Sequence, residues 1–361
     1  MSIGGIGPPM RYYPAVGLRR LRHYLAVRLR GYPNYGDLAT AADIILDQQA
    51  ANGFSAGSHF TGVWARDLAF AAPGIVSVGH GDTLRRVAHH MVAGIEDIFF
   101  TDFYANYHVA TPAEGVDTFP SLVLILDAVG DLRAHACDLA RLAALHREKF
   151  FDEDRYLITG RGSGWWDSAT EPRVAYNTSM LAAGAARLER AGVETTYTGA
   201  SNALQSGMNE ALWNGEYYDE RPGSSVLSAD ANVIPLYFSL VDQAKADTIV
   251  SALESLVTQY GMRMRAQPFT RDEVHWPFSF HTDYHSCIWP WNSFMCAIGF
   301  SAYGYHARAD AEVERIEATL RKFGNFLEVL TEDGTPYIKR GYASASDFTV
   351  AAALWREYLD R

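Results

Sequence analysis

The sequence predicts an all-α fold, a closed (α/α)6 toroid of helical hairpins. Three observations carry this reading. Apolar residues return at spacings of three and four through about twelve successive segments after Asp37, the period of a helix with one buried face. Strand-like alternation is confined to short pairs such as Tyr217-Tyr218 and Tyr337-Ile338. The junctions also alternate. Brief turns at Asp82, Gly192-Val193, Val241-Asp242 and His306-Ala307 take turns with long stretches carrying Gly, Trp, Asp and His. Long loops at every second junction send the open ends of the hairpins one way, so a ring of hairpins gathers them on one rim, where long loops are usually functional. An open solenoid would need a repeat of constant period with a recurring signature, which the chain lacks.

Residues 1–36 mix Gly, Pro and Arg and read as an irregular arm; its basic run LRRLRHYLAVRLR could form a short amphipathic helix, with a solvated face rather than an anionic ligand site. Residues 37–361 read as one catalytic domain, because no shift of composition divides them. The apolar period places helices over Leu38–Gln49, Asp67–Val78, Thr83–Ile98, Phe119–Val129, Leu132–Phe150 and Val174–Ala191. It continues over Tyr197–Trp213, Ala229–Leu240, Gln243–Tyr260, Pro290–Tyr305, Ala309–Leu330 and Ala345–Leu359. The long loops are then 53–67, 102–118, 156–173, 214–230, 262–289 and 331–344.

Composition narrows the partners. With 48% apolar and 20% charged residues, the 361-residue chain is an ordinary globular protein with a large core. Lys+Arg of 31 against Asp+Glu of 42 gives a net charge of -11, which argues against nucleic acid or an anionic membrane as partner. Cys137, Cys287 and Cys296 are too few and too scattered for a disulfide framework. The first residues lack the apolar run of a signal peptide, and no apolar stretch approaches a bilayer span, so a cytoplasmic address is expected.

The chemistry concentrates in the loops. Gly160-Arg161-Gly162-Ser163-Gly164-Trp165-Trp166-Asp167-Ser168 sets two flat aromatic faces beside one carboxylate, just before a helix carrying Tyr176 and Asn177. Tryptophan suits the C–H faces and hydroxyl edges of a sugar ring; the plainer alternative is a tight turn with core tryptophans and Asp167 as a helix cap. The glycines are no dinucleotide loop, because tryptophans stand where the helix would begin. Trp64, Arg66 and Asp67 could stack on and hydrogen-bond a sugar, although Asp67 could equally cap a helix. Glu114 and Asp117 flank the next helix start, one to cap it and one to face a pocket. Further on, His281, Trp289 and Trp291 lie in an aromatic-rich loop that suits a ligand rim. His281, His285 and Cys287 match no standard zinc spacing, so no metal or other cofactor is expected. Glu328 and Glu332 lie at the last loop, which would close the ring beside the first.

The order Trp-x-Arg-Asp, Ser-Gly-Trp-Trp-Asp-Ser with Tyr-Asn following, Ile-Trp-Pro-Trp, Glu before an Asp-Gly turn, and Ala-Ser-x-Phe-x-x-Ala-Ala resembles the six-hairpin glycosidases. The nearest likeness is to the clan holding glycoside hydrolase family 63, trehalase and the debranching-enzyme glucosidase domain. It runs from about residue 37 to the end, with one tryptophan more in the acid-bearing motif than the clan's usual form. The resemblance implies an inverting hydrolase of short, α-linked gluco- or manno-configured glycosides. It carries the general acid to Asp167 and the general base to Glu328, with Glu332 as the rival. The chemistry asks for such a pair: one carboxyl must protonate the leaving oxygen while another activates water on the opposite face. Two other readings use the same scaffold, a sugar 2-epimerase relying on paired histidines and a carbohydrate-binding protein without catalysis.

Overall fold

Which helices line the ring and which clothe it follows from how each one buries its side chains. The computed structural model describes residues 12–95, 102–104, 115–160, 169–274, 279–339 and 341–361. Its helices are α1 (Tyr12–Arg30), α2 (Leu38–Asn52), α3 (Ala65–Ser77), α4 (Gly81–Gly94), α5 (Thr118–Ala128), α6 (Ala136–Phe150) and α7 (Val174–Ala191). They continue as α8 (Ser201–Ala211), α9 (Ala229–Tyr237), α10 (Gln243–Leu253), α11 (Pro290–Ala302), α12 (His306–Leu320) and α13 (Thr349–Leu359).

The odd-numbered helices after α1 are buried all round: α9 along its whole length, α5 from Thr118 to Leu126, α11 from Pro290 to Phe300. A helix apolar on every side belongs inside. The even-numbered ones bury a single stripe, such as Ala246, Ile249, Val250 and Leu253 on α10 or Leu204, Gly207 and Met208 on α8. Accordingly α3, α5, α7, α9, α11 and α13 pack each on the next, and α13 returns to α3 to close the ring. The even helices cover it, α8 on α7 and α12 on α11 for example. One apolar core runs through the whole ring, from Leu38 to Trp355.

Every long loop leads into the N-terminus of an inner helix, so the loops share one rim and bond to one another there. Residues 62–64 pair antiparallel with residues 102–104. Ala169 bridges to Val274, Ser228 to Arg265 and Ile288 to Leu330. The Ser58 N–H donates to the Ser346 carbonyl at 2.9 Å, joining the last loop to the first.

Two expectations about elements need correction. The arm is helical rather than irregular: α1 runs for 19 residues, because its Leu and Arg are good helix formers and the next glycine, Gly31 at φ 77°, stops it. It lies against Tyr342-Ala343 on the rim. The helix expected to reach Leu330 stops at Leu320. Gly324 turns the chain at φ 56°, where a Cβ would meet the Asn34 side chain at 2.2 Å. Phe326 to Leu330 then run outside any helix, bending at Glu328, with the Glu328 N–H on the Ala345 carbonyl at 2.9 Å and the Leu330 N–H on the Ile288 carbonyl at 2.8 Å. Glu328 therefore stands on a rim segment and not at a helix end.

Candidate active site

The rim segment between Gly324 and Leu330 fixes Glu328 tightly. Its neighbours Leu327 and Val329 are fully buried and its own side chain is 3% exposed. Tyr284 Oη donates to Oε1 at 2.5 Å, Tyr342 Oη to Oε2 at 2.6 Å, and the Ala345 N–H to Oε2 at 3.0 Å. Burial pushes the carboxyl above the usual range, a push countered in part by those three donors and by the Arg20 guanidinium. Both phenols are themselves held protonated, by burial first and then by the charge of Glu328. A carboxylate offers about four lone-pair sites. Three are taken, which leaves one to accept from a water.

Glu332 is in a different position. Its side chain is 59% exposed and paired with Arg263 at 2.9 Å.

Further round the rim, Arg66, Asp67, Asp117 and Tyr176 form a linked group at the starts of three neighbouring helices. Arg66 Nη1 lies 3.7 Å from Asp117 Oδ2, Arg66 Nε lies 3.8 Å from Asp67 Oδ1, and Tyr176 Oη donates to Asp117 at 3.3 Å. The Arg66 guanidinium sits 5.0 Å over the Trp64 ring. Asp117 makes no side-chain cap to its helix, and Asp67 lies in the first turn of α3 behind an extended Trp64. Asn177 is buried beside Tyr176.

His281 borders the Glu328 side, its Nδ1 3.1 Å from Tyr337 Oη. That hydroxyl donates in turn to Asp283 at 3.0 Å. Trp289 and Trp291 meet edge to face at 5.4 Å and are 5% and 1% exposed. Trp289 also packs on Tyr284, so the pair holds that phenol in place from below. Asp167, Trp165, Trp166 and Glu114 lie outside the described residues.

Sequence reasoning missed a buried ionic network under the rim. Arg173, at the N-terminus of α7, binds Glu220 at 2.8 Å and Asp230 at 2.6 Å. Arg265 grips the same Glu220 at 2.8 Å and lies 4.1 Å over the Phe269 ring. Burial opposes ionisation of Glu220, but the two guanidinium groups prevail and hold its carboxyl down at about 2. His285 packs edge-on to Phe269; burial and those same arginines push its pKa down, so it stays neutral. The missed phenol Tyr342 comes from the Gly341 turn. No local pattern marks it.

No protein-family model matches the chain, and no curated protein matches its sequence. Solved structures do match. A glycosidase in complex with glucose superposes with a TM-score of 0.68 at 15% identity, over 98% of this chain and 98% of that one. A bacterial glucoamylase complexed with acarbose gives 0.68 at 13% identity, over 89% of this chain and 55% of that one. A family 63 mannosylglycerate hydrolase from Thermus thermophilus, in complex with Tris and D-glycerate, gives 0.65 at 14% identity, over 90% of this chain and 100% of that one. At such identities the likeness is one of fold: the chain has the six-hairpin (α/α)6 toroid of these glycosidases.

Proposed function

We propose that the chain is a glycoside hydrolase working by inversion, with Glu328 as general base and Asp167 as general acid. The observation that carries this reading is the setting of Glu328, a buried carboxylate on the rim with three donors fixed on it and one acceptor site left. In the chain Asp167 precedes α7, which stands three inner helices round from α13 in either direction. Inversion sets its two carboxyls on opposite faces of the sugar, roughly 6.5–9.5 Å apart to admit water. Glu332, exposed and paired with Arg263, is the weaker candidate for the base. Arg66, Asp67, Asp117 and Tyr176 hold sugar hydroxyls, with Trp64, Trp165 and Trp166 as apolar faces. The substrate is a short, α-linked gluco- or manno-configured glycoside, in keeping with the glucose bound by one structural neighbour.

The deciding experiment follows the first product by proton NMR, with single-site variants in parallel. The anomer released before mutarotation should be opposite to that of the substrate. Asp167→Asn should slow poor leaving groups by about a hundredfold or more and activated aryl glycosides far less. Glu328→Ala should abolish turnover of both, and Glu332→Ala should leave it near wild type. A retained anomer, or full activity in Glu328→Ala, refutes the assignment.

A further inference from the structure

Beside Glu328, four side chains carry hydrogen-bonding atoms with nothing to bond. The Nε of Arg19, the Nε of Arg20, the Oη of Tyr32 and both ring nitrogens of His59 are shut off from solvent without a partner. Buried polar atoms are normally satisfied, so a group of orphans in one place asks for an occupant. They converge from three stretches of chain: α1, the turn after it, and the first long loop. His59 is 5% exposed, its ring 4.8 Å from that of His23 and 5.5 Å from that of Tyr342. The Arg20 guanidinium lies 5.9 Å from the Phe60 ring and 6.0 Å from the Tyr342 ring. Tyr342 is the phenol that donates to Glu328, so the orphans border the candidate base.

The charge around them is one-sided. Arg19 and Arg20 are successive residues of a helix with no acidic side chain, on a chain whose net charge is -11. The field of Glu328 reaches both Arg20 and Tyr32, but its oxygens already hold three donors. His23 is occupied, with Nε2 on the Ser344 carbonyl at 3.0 Å and Nδ1 facing Ser58 at 3.4 Å. A counter-charge role toward Glu328 explains Arg20, but it leaves Arg19, Tyr32 and His59 unemployed.

We propose that Arg19, Arg20, Tyr32 and His59 bind an anionic group of the substrate, a carboxylate or phosphate carried by the sugar or its aglycone, and that the site selects charged glycosides over neutral ones. The two guanidinium groups only donate, the Tyr32 hydroxyl and the protonated nitrogen of His59 can donate, and an anion only accepts, so all four side chains can bond to it at once. A neutral hydroxyl has two lone pairs for those four donors and carries no charge to offset the two guanidinium groups. This inference rests on reading Glu328 as part of the active site.

Titration calorimetry on the intact protein tests it. Inorganic phosphate, D-glycerate and glucuronate serve as charged probes, and glycerol and glucose as uncharged ones. The charged probes should bind at least about tenfold tighter than the uncharged ones, as charge-assisted bonds require, and that margin should shrink as salt is raised. The phosphate and carboxylate arms decide which group fits. The double variant Arg19→Met, Arg20→Met keeps the apolar stems and should lose the margin. Equal binding of charged and uncharged probes by the wild type overturns the proposal, and so does a margin that survives in the double variant. The wild-type comparison stands alone if that variant does not fold. Failure of the hydrolase reading registers separately: probes would bind with the expected margin while no glycoside is cleaved.

Discussion

At the scale of single residues, the proposed role of Glu328 as general base ties the pH range of the reaction to the balance on its carboxyl. A general base works only when ionised. Burial raises the carboxyl, and Tyr284, Tyr342 and the Ala345 N–H pull it part of the way back. Removing a donor must therefore raise it further. Tyr342→Phe should move the acidic limb of kcat/KM to higher pH, with activity near pH 5 falling by about tenfold or more and activity near pH 8 changing far less. An unmoved limb in pH–rate profiles would mean that Tyr342 does not bear on the titrating group. Glu328 itself was a candidate from the sequence alone, through its place before an Asp-Gly turn. Its phenols were not, because Tyr284 and Tyr342 reach it across 44 and 14 residues of chain, and such pairings leave no local spacing to read.

At the scale of elements, alternation of loop lengths carried most of the fold. The hairpin order, the inner and outer helices and the shared rim follow from it. Helix ends were less legible, since they depend on tertiary contacts: α12 stops at Leu320 because Gly324 must pass against Asn34, and that contact joins segments nearly 300 residues apart. The inner ring also depends on close approach of helix backbones. At the α3–α13 crossing a Cβ on Gly74 would lie 2.0 Å from the Ala353 carbonyl oxygen, so one helix has to move. At the α5–α7 contact a Cβ on Gly184 would meet Pro120 at 3.5 Å, an ordinary van der Waals distance. Gly74→Ala should thus cost about 1–3 kcal/mol or more in urea unfolding. Gly184→Ala should be neutral or gain up to about 1 kcal/mol from helix propensity. Similar costs for the two would refute the close crossing of α3 and α13.

At the scale of the whole molecule, the ring is closed by packing but its rim is held by charge. Arg173, Glu220, Asp230 and Arg265 come from three successive long loops and the inner helices that they enter, and partners stand 45 to 57 residues apart. Periodicity shows that those loops share a rim and is silent on which side chains meet there. Breaking a buried ion pair from one side leaves the other charge stranded and costs about 3–5 kcal/mol, so Arg265→Met should be strongly destabilising at neutral pH. The same network sets the acid limit of the fold. Glu220 has its carboxyl held at about 2 in the folded protein against an ordinary 4.5. Between those values the unfolded chain binds the proton and the folded one does not, so lowering the pH favours unfolding. The stabilisation is fully present above about pH 4.5 and is lost as the pH falls toward 2, a change on the order of 3 kcal/mol. Glu328, displaced upward, acts with the opposite sign: its folded form prefers the proton, and its penalty eases as the pH falls toward its ordinary range. Urea titrations of the wild type and Glu220→Gln from pH 7 down to 3 separate the two. The wild type should lose stability steeply below about pH 4.5, and Glu220→Gln, less stable at pH 7, should show a shallower loss. A variant with the full wild-type slope would place the acid sensitivity elsewhere and leave the network as packing alone.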